Sequence, residues 1–154
     1  MRKLILIVFI LCVFMFKCEQ IVYIKPTPEN LIGVYYLTEN SKNFFSMRKE
    51  LKVNTESTIS LLNEKIIQIK NFPYCDFESK CSERLLNGQG TWEIDDDSFL
   101  GYDISVNIYS GDREIQGRRI YWIHIYRGKI STFSLNITIG DPDSDESIRY
   151  EKSQ

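Results

Sequence analysis

The stretch YDISVNIYS, residues 102–110, decides the fold class of this chain. Apolar or aromatic residues occupy every second position: Tyr102, Ile104, Val106 and Ile108 alternate with Asp103, Ser105, Asn107 and Tyr109. Successive side chains of a β-strand point to opposite faces, so this alternation places one face against a core and the other in water. The stretch therefore predicts a half-buried strand of an antiparallel sheet.

Two neighbouring stretches support the same interpretation. Within Lys129–Ile139, apolar residues at 133, 135, 137 and 139 alternate with polar ones, again with a period of two. Between the two alternating strands, Arg119–Tyr126 is apolar or aromatic on both faces. We expect this segment either to lie centrally under a second layer or to expose an aromatic surface for binding.

Shorter β-rich segments lie before and after these strands, separated by turn residues such as Asn87-Gly88. They are Leu31–Thr38, Arg48–Asn54, Ser57–Leu62, Ile66–Asn71, Glu83–Ile94 and Ile148–Lys152, with a hairpin turn at Asn54–Ser57. We find no convincing amphipathic helix. The pattern predicts an all-β fold, a single antiparallel β-barrel of eight or nine strands. A β-sandwich is the alternative, because alternation looks the same in both architectures.

The first residues have the composition of an export signal. Arg2 and Lys3 precede an unbroken apolar run from Leu4 to Phe16, typical of a secretory signal peptide. Thirteen helical residues rise only about 20 Å, which is short of the ~30 Å hydrocarbon core of a bilayer. We therefore divide the chain into a signal peptide, residues 1–17, a tether with two prolines, residues 18–30, and a β-barrel domain, residues 31–154.

Cys18 follows the apolar run and is the predicted attachment point of a lipid. Met15-Phe16-Lys17-Cys18 resembles a degenerate bacterial lipobox, in which the cysteine is lipidated and becomes the first mature residue. Phe16 and Lys17 depart from the small residues preferred there. The alternatives are cleavage to a periplasmic or secreted soluble form, and an uncleaved leader that acts as an anchor. In each case we expect export, and with a lipid on Cys18 the protein would be held on a bacterial membrane.

Cys75 and Cys81 remain as an even pair in the body of the chain. They enclose a polar loop that follows Pro73, and a disulfide there would suit an oxidising compartment. The alternatives are two free thiols or half of a metal site. Metal ligands usually come with a second cysteine pair or with histidines, and this chain has one histidine. We predict the Cys75–Cys81 disulfide, no metal and no cofactor.

Size and charge restrict the class of partner. The segment from Cys18 onward has 137 residues, which suits one domain. After Arg2, Lys3 and Lys17 are removed, 16 of the 19 Lys and Arg remain against 21 Asp and Glu, so the net charge is near −5. Nucleic-acid binding needs a basic stripe, so we expect no nucleic-acid partner.

Three segments together resemble a known class of proteins. Leu31-Ile-Gly-Val-Tyr, Gly90-Thr-Trp-Glu-Ile and Gly140-Asp-Pro-Asp-Ser144 are similar in order and spacing to small bacterial lipoproteins of unknown function with lipocalin-like β-barrel domains. The resemblance spans roughly Leu31 to Lys152. It implies a barrel at the cell envelope and carries over no catalytic residue.

Acidic clusters and the single histidine are the candidate reactive groups. Asp141-Pro-Asp143-Ser-Asp145 begins like a calcium loop but continues with Glu146 and Lys152 where glycine and glutamate are needed, so a turn is favoured. Asp95, Asp96 and Asp97 are typical of a solvated turn. His124 lies within a strand pattern, where a structural histidine is the commoner outcome. An envelope hydrolase that combines these aspartates with His124 is the weakest hypothesis, and we predict that the protein is not an enzyme.

The aromatic residues suggest a ligand site. Trp92, Tyr102, Trp122 and Tyr126 lie on neighbouring predicted strands and, pointing inward, would line a small apolar pocket. The alternative, which we favour, is that aromatics fill the barrel. We therefore expect an envelope-anchored, non-enzymatic binding module for a small apolar ligand or a protein partner. An inhibitor or immunity-type partner is the second hypothesis.

Overall fold

A computed structural model describes Val22 and residues 24–48, 56–75, 81–82, 84–95, 101–127, 133–139 and 147–153; for residues 47–48 and 119–122 only the backbone is described. Several sequence predictions lie outside these residues in whole or in part, among them the leader with Cys18, the turn at Asn54–Ser57, Asp96 and Asp97, and the Asp141–Asp145 segment.

The described chain forms eight strands and two α-helices. The helices are α1 (Pro28–Leu31) and α2 (Glu39–Arg48), and Asn63–Lys65 form a 3₁₀ turn. The strands are β1 (Gly33–Leu37), β2 (Thr58–Leu61), β3 (Ile66–Phe72), β4 (Leu86–Asp95), β5 (Tyr102–Gly111), β6 (Arg119–Arg127), β7 (Phe133–Thr138) and β8 (Ser147–Lys152).

Each strand pairs antiparallel with the next, and β8 returns to pair with β1, so the sheet is a closed barrel. Tyr35 lies opposite Lys152, and Leu37 lies opposite Tyr150. This pairing confirms the predicted single antiparallel β-barrel and excludes the sandwich. Closure leaves the described sheet without an unpaired edge.

The barrel interior is filled by the apolar residues of the alternating patterns. Inward-facing, buried side chains come from all eight strands; they include Tyr35, Ile59, Ile67, Trp92, Ile104, Val106, Ile123, Leu135 and Tyr150. Successive strands run in opposite directions, so α1 lies at one end of the barrel, and α2 and the β5–β6 turn lie at the other. Leu31 is buried at the α1 end, and Phe45 and Ile115 are buried at the α2 end.

Helix α2 corrects the sequence prediction in two respects. The chain was expected to have no convincing helix, yet Glu39–Arg48 are helical, and Arg48 ends this helix instead of beginning a strand. The remainder of the predicted strand Arg48–Asn54 lies outside the described residues. The helix escaped detection because its sequence is mostly polar, with a weak apolar face on which Phe45 is fully buried and Phe44 partly buried.

The first strand also begins later than predicted. Leu31 ends the single turn α1, in which Pro28 is a first-turn proline and the N–H of Ile32 donates to the carbonyl of Pro28. Proline suits the first turn of a helix because it has no N–H to leave unpaired there. The strand therefore begins at Gly33, where the side chain of Lys152 occupies the space that a Cβ would need.

Candidate functional site

The four aromatic residues predicted to line a ligand pocket do not share one face. Trp92 is only 2% exposed and lies opposite Val106 in the core, and Tyr102 packs against the same core from β5. Tyr126 follows the inward-facing Ile125 and is therefore on the outer face of the sheet. The side chain of Trp122 lies outside the described residues.

Trp92 fills the interior instead of bordering an open space. Its indole Nε1 is buried and has no hydrogen-bond partner in the described part of the chain. Leaving such a group unpaired costs about 1–3 kcal/mol, which the burial of a large aromatic ring offsets. Trp92 and Tyr102 therefore pack the core of the barrel.

Two buried tyrosines contribute hydroxyls to the interior. The hydroxyl of Tyr35 donates to the carbonyl of Leu31 at 2.7 Å, linking β1 to α1. The hydroxyls of Tyr150 and Ser57 lie 2.7 Å apart. Burial raises the pKa of both tyrosines well above the ordinary value, because the phenolate would be poorly solvated there.

His124 pairs with an aspartate that the sequence did not single out. The registers of β5 and β6 place Asp103 opposite His124, and Oδ1 of Asp103 lies 2.6 Å from Nδ1 of His124. Of the aspartates that the hydrolase hypothesis combines with His124, only Asp95 is described. Asp95 lies opposite Asp103, one strand further away.

This pair belongs to a polar row on the outside of the barrel. Register partners run from Asp103 to His124 on β6, Asn136 on β7 and Arg149 on β8. Because all four residues alternate with buried apolar neighbours, they share the outer face. The row ends beside α2, where the outer surface becomes concave.

A groove of about 830 Å³ lies at this concave position, between α2 and the outer face of β7, β8 and β1. Tyr36 and Phe44 supply aromatic surface, while Asn136, Arg149 and Glu151 supply polar groups. A binding site of this size usually combines apolar walls with a few polar groups. This groove is the candidate functional site.

Helix α2 is attached to the barrel by its first turn. The backbone N–H of Arg149 donates to Oγ of Ser41 at 2.8 Å, and the N–H of Thr38 donates to the carbonyl of Arg149 at 3.0 Å. Oγ1 of Thr38 lies 3.0 Å from Oγ of Ser41. Phe45 adds a buried apolar contact one turn later. These contacts hold one wall of the groove against β8.

The polar side chains on the groove floor are incompletely paired. Oδ1 of Asn136 and Nε of Arg149 are both buried, and neither has a hydrogen-bond partner among the described residues. Nε of Arg149 lies 3.4 Å from Oε1 of Glu151, which is an ion pair at long range, and Nη2 donates to the carbonyl of Arg127 at 3.4 Å. Charge-assisted hydrogen bonds are normally 2.7–2.9 Å long.

The predicted disulfide is present. Sγ of Cys75 lies 2.09 Å from Sγ of Cys81, and the two residues also form an isolated antiparallel bridge. Three residues after Cys81, Arg84 forms ion pairs with Glu114 at 3.1 Å and Asp112 at 3.2 Å, which tie the segment before β4 to the β5–β6 turn. These contacts brace the α2 end of the barrel.

Within the described residues, no three His, Cys, Asp or Glu side chains are placed to hold a metal ion. No helix in that part of the chain is both long and apolar enough to cross a membrane.

The groove was not foreseen from the sequence. Its floor residues belong to strands that were predicted, but its second wall is the helix that was missed. No periodic signal marks such a site, because it depends on where a weakly amphipathic helix packs.

Comparison with known proteins adds no relative. No protein-family model matches the chain, and no curated protein or solved structure is significantly similar to it. Its function must therefore be inferred from the geometry of the barrel itself.

Proposed function

We propose that the protein is an exported, envelope-anchored, non-enzymatic binding module that holds a protein partner in the groove between α2 and strands β7, β8 and β1. The observation that carries this proposal is that the described interior is packed with large side chains, whereas the groove lies open on the outside. A small apolar ligand inside the barrel would have to displace residues such as Trp92, which is 2% exposed.

The position of the groove suits an anchored protein. The residues that follow the predicted signal peptide lead into α1, and α2 lies at the opposite end of the barrel. An anchor at Cys18, as the leader predicts, would therefore hold the α1 end towards the membrane and the α2 wall of the groove away from it. Val22 is buried with the core, so the residues between the predicted anchor and the domain, 18–21, can span at most about 14 Å when extended. A partner in the surrounding compartment could reach the groove without contacting the bilayer.

For the hydrolase hypothesis, the structure supplies an aspartate that pairs with His124 but no nucleophile on the same ring among the described residues. Asp103 could orient His124, as an acid orients a catalytic histidine. In a Ser–His or Cys–His site the histidine also hydrogen-bonds a nucleophile, and in the described chain the hydrogen bonds of the His124 ring involve Asp103 alone. We therefore keep the non-enzymatic proposal.

Site-specific photo-crosslinking in the native envelope tests this function. A photo-reactive residue at Phe44, in the groove, should crosslink to one protein species. The matched control is Thr91, an exposed residue on β4, across the barrel from β8. The captured protein, once purified, should bind a Phe44→Arg variant at least tenfold more weakly than wild type, while Thr91→Arg binds normally.

Two results would overturn the proposal. Equal crosslinking from Phe44 and Thr91 would show that the groove is not the contact surface. No crosslinking at either position, together with a change of tryptophan emission on titration with fatty acids, would favour a ligand inside the barrel.

A further inference from the structure

We infer that the groove recognises a carboxylate on a segment of the protein partner, with Arg149 as the anchor and Glu151 as an internal competitor for it. This inference rests on the proposed function, since it specifies the chemistry of the same groove. The charges that surround the groove are unequally paired.

Arg149 has more hydrogen-bond donors than the described structure uses. A guanidinium has five N–H groups. In the described chain, Arg149 makes one side-chain hydrogen bond, to the carbonyl of Arg127, and one long ion pair with Glu151, both at 3.4 Å. Because its Nε is buried without a hydrogen-bond partner, the surrounding protein holds the guanidinium but does not satisfy it.

The acidic groups at the groove leave these N–H donors of Arg149 without a well-placed acceptor. Glu39 forms a 2.6 Å ion pair with Lys42 on the exposed side of α2, so its charge is already balanced. Glu151 is the carboxylate next to Arg149, and its 3.4 Å separation is longer than a charge-assisted hydrogen bond. An incoming carboxylate with better geometry could bind the guanidinium through two parallel N–H···O bonds.

The neighbours of Arg149 are suited to the rest of such a segment. Asn136 is its direct cross-strand partner and supplies a carboxamide, and Ser147 supplies an exposed hydroxyl at the start of β8. Tyr36 and Phe44 provide aromatic surface for an apolar side chain next to the carboxylate. The partner segment that fits this groove therefore carries a carboxylate beside an apolar residue.

Binding is measured by calorimetry on the full chain in detergent, with dipeptides as probes. The first pair is an N-acetylated glycyl-phenylalanine with a free carboxylate and the same compound as a carboxamide. The free acid should bind at least tenfold more tightly. An N-acetylated phenylalanyl-aspartate amide, which carries only a side-chain carboxylate, distinguishes an acidic side chain from a chain terminus as the source.

Two substitutions test whether the group bound in the groove is negatively charged. Arg149→Gln removes the anchor and keeps both backbone hydrogen bonds of residue 149 with α2, so the free acid should bind at least tenfold more weakly. Glu151→Gln removes the competitor, so the free acid should bind severalfold more tightly. A groove that binds cations would give the opposite result for both variants. If Arg149→Gln fails to fold, Arg149→Lys, which loses the paired N–H groups but keeps the charge, should still weaken binding.

Several outcomes would overturn this inference: equal affinity for acid and carboxamide, unchanged binding by the Arg149 variants, or weaker binding by Glu151→Gln. The carboxylate inference can fail while the proposed function holds. If Phe44 still crosslinks to its partner while acid and carboxamide bind equally, the groove is a partner site with different chemistry.

Discussion

Ser41, in the first turn of α2, and Arg149, in β8, are 108 residues apart in the chain and joined by a 2.8 Å hydrogen bond from the Arg149 N–H to the Ser41 hydroxyl oxygen. The same hydroxyl lies 3.5 Å from the Arg149 carbonyl, to which it can donate. A serine that is 6% exposed thus contacts both backbone polar groups of Arg149, near the start of β8, as a neighbouring strand would. It positions the helix that forms one wall of the groove.

Removing this hydroxyl should destabilise the protein and loosen α2. Ser41→Ala leaves the N–H of Arg149 without its acceptor, and an unpaired buried group costs about 1–3 kcal/mol. Urea denaturation measures this loss in the free energy of unfolding. Ser46→Ala is the matched control on the same helix, because the Ser46 hydroxyl is exposed and bonds only within the helix, to Lys42. Its effect should stay within about 0.5 kcal/mol. Equal effects of both substitutions would contradict the anchoring role of Ser41.

The buried hydroxyls of Ser57 and Tyr150 should behave as one unit. Tyr150→Phe and Ser57→Ala should each cost about 1–3 kcal/mol, because each leaves the other hydroxyl unpaired in the core. The double variant should lose less than the sum of the two single losses, with a coupling of about 0.5–3 kcal/mol. A double-mutant cycle measured by chemical denaturation gives this coupling. Strictly additive losses would show that the two hydroxyls do not interact.

Stability should fall steeply at alkaline pH. Burial raises the pKa of Tyr35 and Tyr150 in the folded state, while an unfolded chain releases these protons near pH 10. The stabilisation is therefore complete below pH 10 and is lost as the pH rises from there towards the folded-state pKa values. With two protons more bound in the folded state, the free energy of unfolding should fall by about 2.7 kcal/mol per pH unit in that range.

Substitution of the two tyrosines tests whether they cause the alkaline loss of stability. A Tyr35→Phe, Tyr150→Phe double variant should be less stable at neutral pH but should lose most of the alkaline slope. Tyr36→Phe, a change on the outer face of β1, should keep the slope. Denaturant titrations between pH 8 and pH 11.5 measure both quantities. An unchanged slope in the double variant would show that other groups cause the alkaline loss.

The disulfide should stabilise the protein moderately. The Cys75–Cys81 bond closes a loop of seven residues, for which the loss of chain entropy in the unfolded state corresponds to about 2 kcal/mol. A Cys75→Ser, Cys81→Ser variant should lose about this amount, and wild type in reductant should match it. The variant itself should not respond to reductant. A further loss of stability when reductant is added to the variant would point to another thiol-dependent contact.

Two glycines should differ in their tolerance of alanine. A Cβ at Gly90 would overlap the backbone carbonyl of Asn107 on the neighbouring strand, at the register shift between β4 and β5. The backbone of a paired strand cannot rotate away as a side chain can. Gly90→Ala should therefore lower the free energy of unfolding by about 3 kcal/mol or more, the size of a core disruption. Gly117 has a φ of +74° with nothing near its Cβ position. Gly117→Ala should cost only the left-handed strain of about 1–2 kcal/mol. Thermal unfolding ranks the two, and a reversed order would contradict the register of β4 and β5.

The sequence by itself determined the strands. The alternation in Tyr102–Ser110 appears in the structure as β5, Tyr102–Gly111, with Ile104, Val106 and Ile108 buried. Alternation is a local signal that follows from the geometry of a single strand, so it can be recognised without knowledge of the fold. Cysteine parity is similarly independent of fold, and the Cys75–Cys81 pair is present.

Only the tertiary structure decided closure, the helix and the groove. Pairing of Tyr35 with Lys152 joins the two ends of the barrel domain, and no local pattern encodes a contact over that distance. Asp103 became the partner of His124 through the register of β5 and β6, although Asp95, Asp96 and Asp97 were the more conspicuous acids. Helix α2 is held chiefly by Ser41 and Phe45. Two positions are too few to produce a helical repeat of apolar residues in the sequence. The groove exists because this helix packs against strands that come together only when the sheet closes.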